Sequence, residues 1–122
     1  MFWVFLAGGT GAALRVALVP ILDERLQSLL PSAGTLVVNA IGCLAIGLGA
    51  AMLPDGSLRP ILLGGLLGGF TTYSAFGLLT YGHAQEGRYA VFAAHVLLHV
   101  VLGLAAVGLG LWVGRSLAPG QP

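Results

Sequence analysis

At 122 residues, with 57% hydrophobic side chains, 7% charged residues and a mean hydropathy of +0.98, the chain lies outside the range of soluble globular domains. A net charge of +1 gives no reason to invoke nucleic acid, and the single cysteine, Cys43, excludes an internal disulfide or a thiolate metal cluster. The composition is that of an all-α integral membrane protein lying in a lipid bilayer.

A hydrocarbon core about 30 Å thick needs roughly 20 apolar residues per helix. Four stretches reach that length: residues 2–22, 34–53, 60–81 and 89–113, which make one four-helix transmembrane domain over residues 1–122. The first carries no positive region ahead of its apolar run, which argues for a retained helix over a cleaved signal peptide. Arg15 falls in its last third, placed to snorkel to the interface or to enter a wet vestibule. The segments between the spans, DERLQSLLPS, PDGSLR and GHAQEGR, hold every carboxylate and three arginines, as loops returning to water do. The first of these has the pattern of a short amphipathic helix over residues 23–30.

In the second span Asn39 is central, with Thr35 one turn before it and Gly42 and Cys43 one turn after, so that a small and polar stripe runs along one face. A membrane asparagine of this kind either bonds a neighbouring helix or lines a conduit. Cys43 reads as a small apolar filler. The third span contains GGFTTYSAF, Gly68 to Phe76. Its glycines permit a break in the helix, and its threonines can replace the backbone bonds lost there. Non-helical backbone at this depth is tolerated only against protein or a cavity, where freed carbonyls can hold an ion. Tyr73 and Phe76, three apart, share a face. Aromatic edges are electropositive, so the pair is either interhelical packing or a ligand set for a dehydrated anion.

In the fourth span His95 and His99 lie one turn apart on the face of Gly103, Ala106 and Gly110, pointing into protein or water. The spacing also suits a metal, but no carboxylate or thiolate stands at the same depth to complete a shell. Gly64, Gly65, Gly68 and Gly69, with Ala106, Gly110 and Gly114, form small-xxx-small faces expected to close a dimer. Arg59 and Arg115 fall on the side of the N-terminus, and Arg15, Arg25 and Arg88 on the other. This is too even a split to fix orientation, so the dimer is expected to be antiparallel.

GGFTTYSAF resembles the third-helix signature of the Fluc/CrcB fluoride channels, GG-x-TTFSTF. AGGTGAALR, Ala7 to Arg15, is similar to that family's first-helix motif. GTLVVNAIGCLAIG, Gly34 to Gly47, resembles its second, and GLAAVGLG, Gly103 to Gly110, the end of its fourth. The resemblance runs in order along nearly the whole chain. It implies a fluoride-selective channel of the bacterial plasma membrane, not an enzyme, that lets the ion out passively. It implies an antiparallel, dual-topology homodimer of four-helix subunits, with helix three broken mid-membrane and a structural sodium ion at the dimer centre. On this resemblance the pore residues are Asn39, Tyr73, Phe76, Ser74 and Thr72, with Arg15 at the vestibule, and the sodium ligands are the backbone carbonyls of Gly68 and Thr71.

Three positions depart from the pattern. Tyr73 stands in place of a phenylalanine, Ala75 in place of a threonine, and His99 in place of a small hydroxyl residue. They suggest either one half of a heterodimer with a paralogue, or a pore in which His95 and His99 replace the missing hydroxyls. The other classes fit less well. A small four-helix exporter needs a carboxylate inside the membrane, whereas Glu24 and Glu86 lie in loops. A membrane enzyme needs a convergent nucleophile or metal set, which is missing. A purely structural helix-packing protein predicts no ion flux.

Overall fold

The computed structural model describes residues 1–118 and is helical throughout. The elements are α1 (Phe2–Leu26), α2 (Ala33–Met52), a π-wound segment π1 (Pro60–Leu67), a single turn α3 (Gly68–Phe70), α4 (Tyr73–Gln85) and α5 (Tyr89–Leu117). π1, α3 and α4 together form the third span, Pro60–Gln85, and all four spans are long and apolar enough to cross a bilayer. Leu and Ile side chains are exposed all round the bundle, and few apolar residues are buried, chiefly Leu36, Val38 and Phe70. That inversion is what a chain dissolved in lipid requires, since acyl chains solvate Leu as well as protein does.

Close backbone approach supplies the packing that a hydrophobic core supplies in water. α1 lies against π1 and α3, and α2 against α5. A Cβ on Gly11 would stand 2.0 Å from the Leu66 carbonyl oxygen, and one on Gly69 would stand 2.2 Å from that of Gly8. On the other pair of helices, a Cβ on Gly110 would stand 2.3 Å from the Leu44 carbonyl oxygen, and one on Gly47 would stand 2.3 Å from that of Val107. Part of the small-residue pattern therefore serves packing within the chain, a use that the expectation of a dimer-closing face did not include. Within the GG pairs only Gly65 and Gly69 face α1. Gly64 has open space around it, and the nearest atom to a Cβ on Gly68 would be an oxygen of its own helix at 3.7 Å.

The loop after the first span is also shorter than expected. α1 runs on to Leu26, so Asp23, Glu24 and Arg25 close its last turns and no separate interfacial helix forms over residues 23–30. Asp23 explains the arrangement: its Oδ1 accepts a hydrogen bond from the Gly34 N–H at 2.6 Å, capping the start of α2 from the neighbouring helix. Gly34 has no Cβ because Val19 O lies 2.4 Å from where one would be.

The third span breaks at Thr71 and Thr72, whose backbones are extended (φ −84°, ψ 157° and φ −149°, ψ 119°). Gly68 and Gly69 are helical and lie before the break. The threonines make it: the Thr71 hydroxyl donates back to Leu67 O at 3.0 Å, and the Thr72 Oγ1 accepts from Ala75 N at 3.2 Å, starting α4 as its N-cap. α4 leans on α5 and touches α2 only slightly, and it does not meet α1. One flank of the break is therefore open to whatever lies beside the subunit.

Candidate functional site

The open flank is a half-enclosed cavity of about 320 Å³ between α2, the break and α5. Asn39, Gly42, Cys43 and Ile46 of α2, Thr71 to Tyr73 and Phe76 of the third span, and His99 and Val100 of α5 border it. Its wall at the break is held by one side chain. Asn39 Nδ2 donates to Thr72 O at 2.9 Å, and Asn39 Oδ1 accepts from Thr72 N at 2.8 Å. The carboxamide thus makes the paired bonds that a neighbouring strand would make, and the extended residue needs no helical partner. Gly42, one turn on, makes room for the break, because a Cβ there would be 2.1 Å from Thr71 Cγ2.

The aromatic side of the cavity is a row of rings. Tyr73 and Phe76 lie 5.5 Å apart between centroids at 59°, and Phe76 and His99 lie 4.2 Å apart at 35°. Tyr73 is 83% exposed on this single chain and turns to the open flank. Tilted rings present edge hydrogens as well as faces, which suits an anion lacking a formal counter-charge.

His99 and His95 do not share this setting, although one face of α5 carries both. His95 is 1% exposed and lies outside the cavity. Its Nε2 bonds the Pro31 carbonyl oxygen at 2.6 Å, tying α5 to the loop before α2, and its ring stacks on His83 at 5.3 Å. Of the two histidines offered by the sequence for a conduit, only His99 borders this cavity. For His99, Nδ1 lies 2.9 Å from the His95 carbonyl oxygen. A carbonyl only accepts, so Nδ1 carries the proton, and the Nε2 of a neutral ring is a bare lone pair. That Nε2 is buried and without a partner among the described residues. A neutral His99 therefore offers an anion no N–H; only the protonated ring does.

The other sequence candidates are nearby but apart. Ser74 is exposed, with its Oγ 3.3 Å from Thr72 Oγ1, outside the cavity lining. Arg15 reaches across from α1 to donate through Nε to Gly69 O at 3.3 Å, just before the break. Neither the Gly68 nor the Thr71 carbonyl oxygen accepts a hydrogen bond from a described residue, because Thr72 N goes to Asn39 and Ala75 N to the Thr72 hydroxyl. Cys43, read from sequence as filler, borders the cavity beside Asn39. Its place one turn beyond Asn39 on the same helical face was the available signal.

The sequence model of the family described as "CrcB-like protein, Camphor Resistance (CrcB)" matches residues 2–111. The chain belongs to the CrcB family. It is 50% identical over 117 residues to a "Fluoride-specific ion channel FluC" of Paracoccus denitrificans, covering 93% of both chains. It is 41% identical over 120 residues to a protein of the same name from Solibacter usitatus, covering 94% of both. A third relative so named, from Phocaeicola vulgatus, is 36% identical over 116 residues, covering 92% of this chain and 95% of its own. In this CrcB-family chain the cavity at the helix break, with its asparagine clamp and row of rings, is the strongest candidate for the functional site.

Proposed function

We propose that the protein is a fluoride channel of the bacterial cell membrane, passing the ion down its gradient through the cavity at the Thr71–Thr72 break. The observation that carries this reading is the lining of that cavity: the rings of Tyr73 and Phe76, tilted at 59° to one another, together with Asn39, and no carboxylate among the lining residues. Coordination by ring edges needs no buried cation and lets a small anion leave again, as conduction requires. Relatives that match nine-tenths of the chain and carry the name of a fluoride channel support the ion's identity.

The working unit is an antiparallel homodimer. The exposed Tyr73, the open side of the cavity and the absence of contact between α1 and either α4 or α5 support it, since one subunit alone leaves a dehydrated ion facing lipid. A sodium ion held by the carbonyls of Gly68 and Thr71 fits the same break: both oxygens are unused, and hard cations take oxygen ligands. When bound it would supply a fixed positive charge that holds the break open, while Arg15 occupies the intervening Gly69 carbonyl.

Phe76→Ile tests the conduit. The bulk is kept and the ring-edge hydrogens are lost, so fluoride efflux from liposomes should fall sharply while the protein runs at an unchanged size in detergent. Undiminished efflux would place the ion path away from these rings.

A further inference from the structure

A second cleft lies away from the helix break, between the C-terminal ends of α2 and α5. It is larger than the first, about 660 Å³, and Arg59 and Arg115 both line it. Its wall includes Ala50, Ala51 and Leu111, small or apolar side chains at the inner edge, with Pro54 and Asp55 on the loop side. We propose that this cleft binds the phosphate group of an anionic phospholipid, the two guanidinium groups taking its oxygens and the apolar edge taking the first carbons of its acyl chains.

The depth is right for a headgroup. Arg115 lies in the last turn of α5, three residues beyond Trp112, an exposed indole of the kind that gathers at the membrane interface. Arg59 precedes the third span, and one of its Nη1 bonds goes to Leu53 O at 2.8 Å, which holds the side chain over the end of α2. Its other N–H groups are left for a ligand, and the planar fork of arginine matches the oxygens of a phosphate. Arg115 makes no hydrogen bond or ion pair with any described residue.

Two features oppose an anion here. The helix ends present carbonyl groups, and Asp55 lies 3.8 Å from Arg59. The first is partly cancelled by the Arg59 bond to Leu53 O. The second is weak, because the Asp55 side chain is fully exposed at 101% and its pairing is screened by water. Two arginines against one solvated carboxylate leave the cleft net positive.

The chemistry serves a lipid phosphodiester and a free phosphate ion alike, so the test separates them. Purified protein in detergent is exchanged against phosphatidylglycerol or phosphatidylcholine, and retained lipid is counted by native mass spectrometry, with and without about 10 mM inorganic phosphate. Each arginine near an anionic headgroup is worth roughly fivefold in affinity, and after the offset from Asp55 the preference for phosphatidylglycerol should be about five- to tenfold. Arg59→Gln with Arg115→Gln should abolish it, and Arg115→Gln alone should reduce it without touching any bond of the fold. Displacement by inorganic phosphate would support the phosphate site and assign it to the free ion; lack of displacement assigns it to lipid. Equal retention of both lipids by the parent, or unchanged preference in the Arg115→Gln and double variants, would overturn the proposal.

Discussion

Asn39→Ala separates the two roles that a membrane asparagine can have. In this fold the carboxamide closes two bonds to one extended residue, at 2.9 Å and 2.8 Å. Its loss leaves the Thr72 N–H and C=O without partners on the protein. An unpartnered buried backbone group costs about 1–3 kcal/mol, while interhelical hydrogen bonds within membranes are worth on average about 0.6 kcal/mol each, because the reference state also finds partners. Thr72 borders the cavity, so water can satisfy part of the loss. The expected destabilisation is therefore about 1–3 kcal/mol, toward the lower end if the cavity is wet. Asn39→Asp keeps the acceptor for Thr72 N–H but sets an oxygen against Thr72 O, and a charge there would also repel a passing anion. It should lose stability and flux together. The assay is reversible unfolding in mixed micelles by increasing sodium dodecyl sulfate, run beside fluoride efflux on the same preparations. A residue that only lines the conduit would lower flux and leave the unfolding midpoint in place. An unchanged midpoint for Asn39→Ala would refute the clamp.

Gly69→Ala drives a Cβ to 2.2 Å from the Gly8 carbonyl oxygen, so it should cost about 1–3 kcal/mol or prevent folding, whereas Gly64→Ala meets nothing within 4 Å inside the subunit and should leave monomer stability alone; thermal melts in detergent distinguish them. For His99 the sign follows from its tautomer. Neutral, its Nε2 is a buried lone pair, and protonation adds an N–H and a positive charge to a ring that borders the cavity, so efflux should rise as pH is lowered. The rise should be absent in His99→Ser and present in His95→Ser; an identical pH profile in His99→Ser would remove His99 from the path. Cys43, the chain's single cysteine, borders the cavity, so a small methanethiosulfonate reagent should slow efflux, and Cys43→Ala should be insensitive to it.

The spans were legible because twenty apolar residues have few other structures open to them, and the family was legible as a motif. The location of the break was not. Glycine's lack of a Cβ pointed to Gly68 and Gly69, but in the fold glycine serves close approach, with Gly69 against Gly8 O, and the break falls on the two residues whose hydroxyls can bond the backbone. A glycine cluster in a membrane helix signals contact before it signals flexibility, and the sequence does not say whether the contact is within the chain or between chains. Helical spacing alone joined His95 to His99. They part because the Pro31 carbonyl, 64 residues away in sequence, takes the first ring, and no local pattern reveals such a bond. The Asn39 clamp was foreseen only as one of two options, since its partner on the third span becomes available only when that helix is broken.

Purified protein reconstituted without any other component into liposomes loaded with potassium fluoride tests the central claim most directly, with a fluoride electrode outside and valinomycin to carry the compensating charge. Prompt fluoride efflux is expected, and far slower efflux of chloride from matched vesicles, because the path is narrow and lined by aromatic rings and a carboxamide suited to a small dehydrated anion. Vesicles that contain the folded protein and release no fluoride on adding valinomycin would contradict that claim.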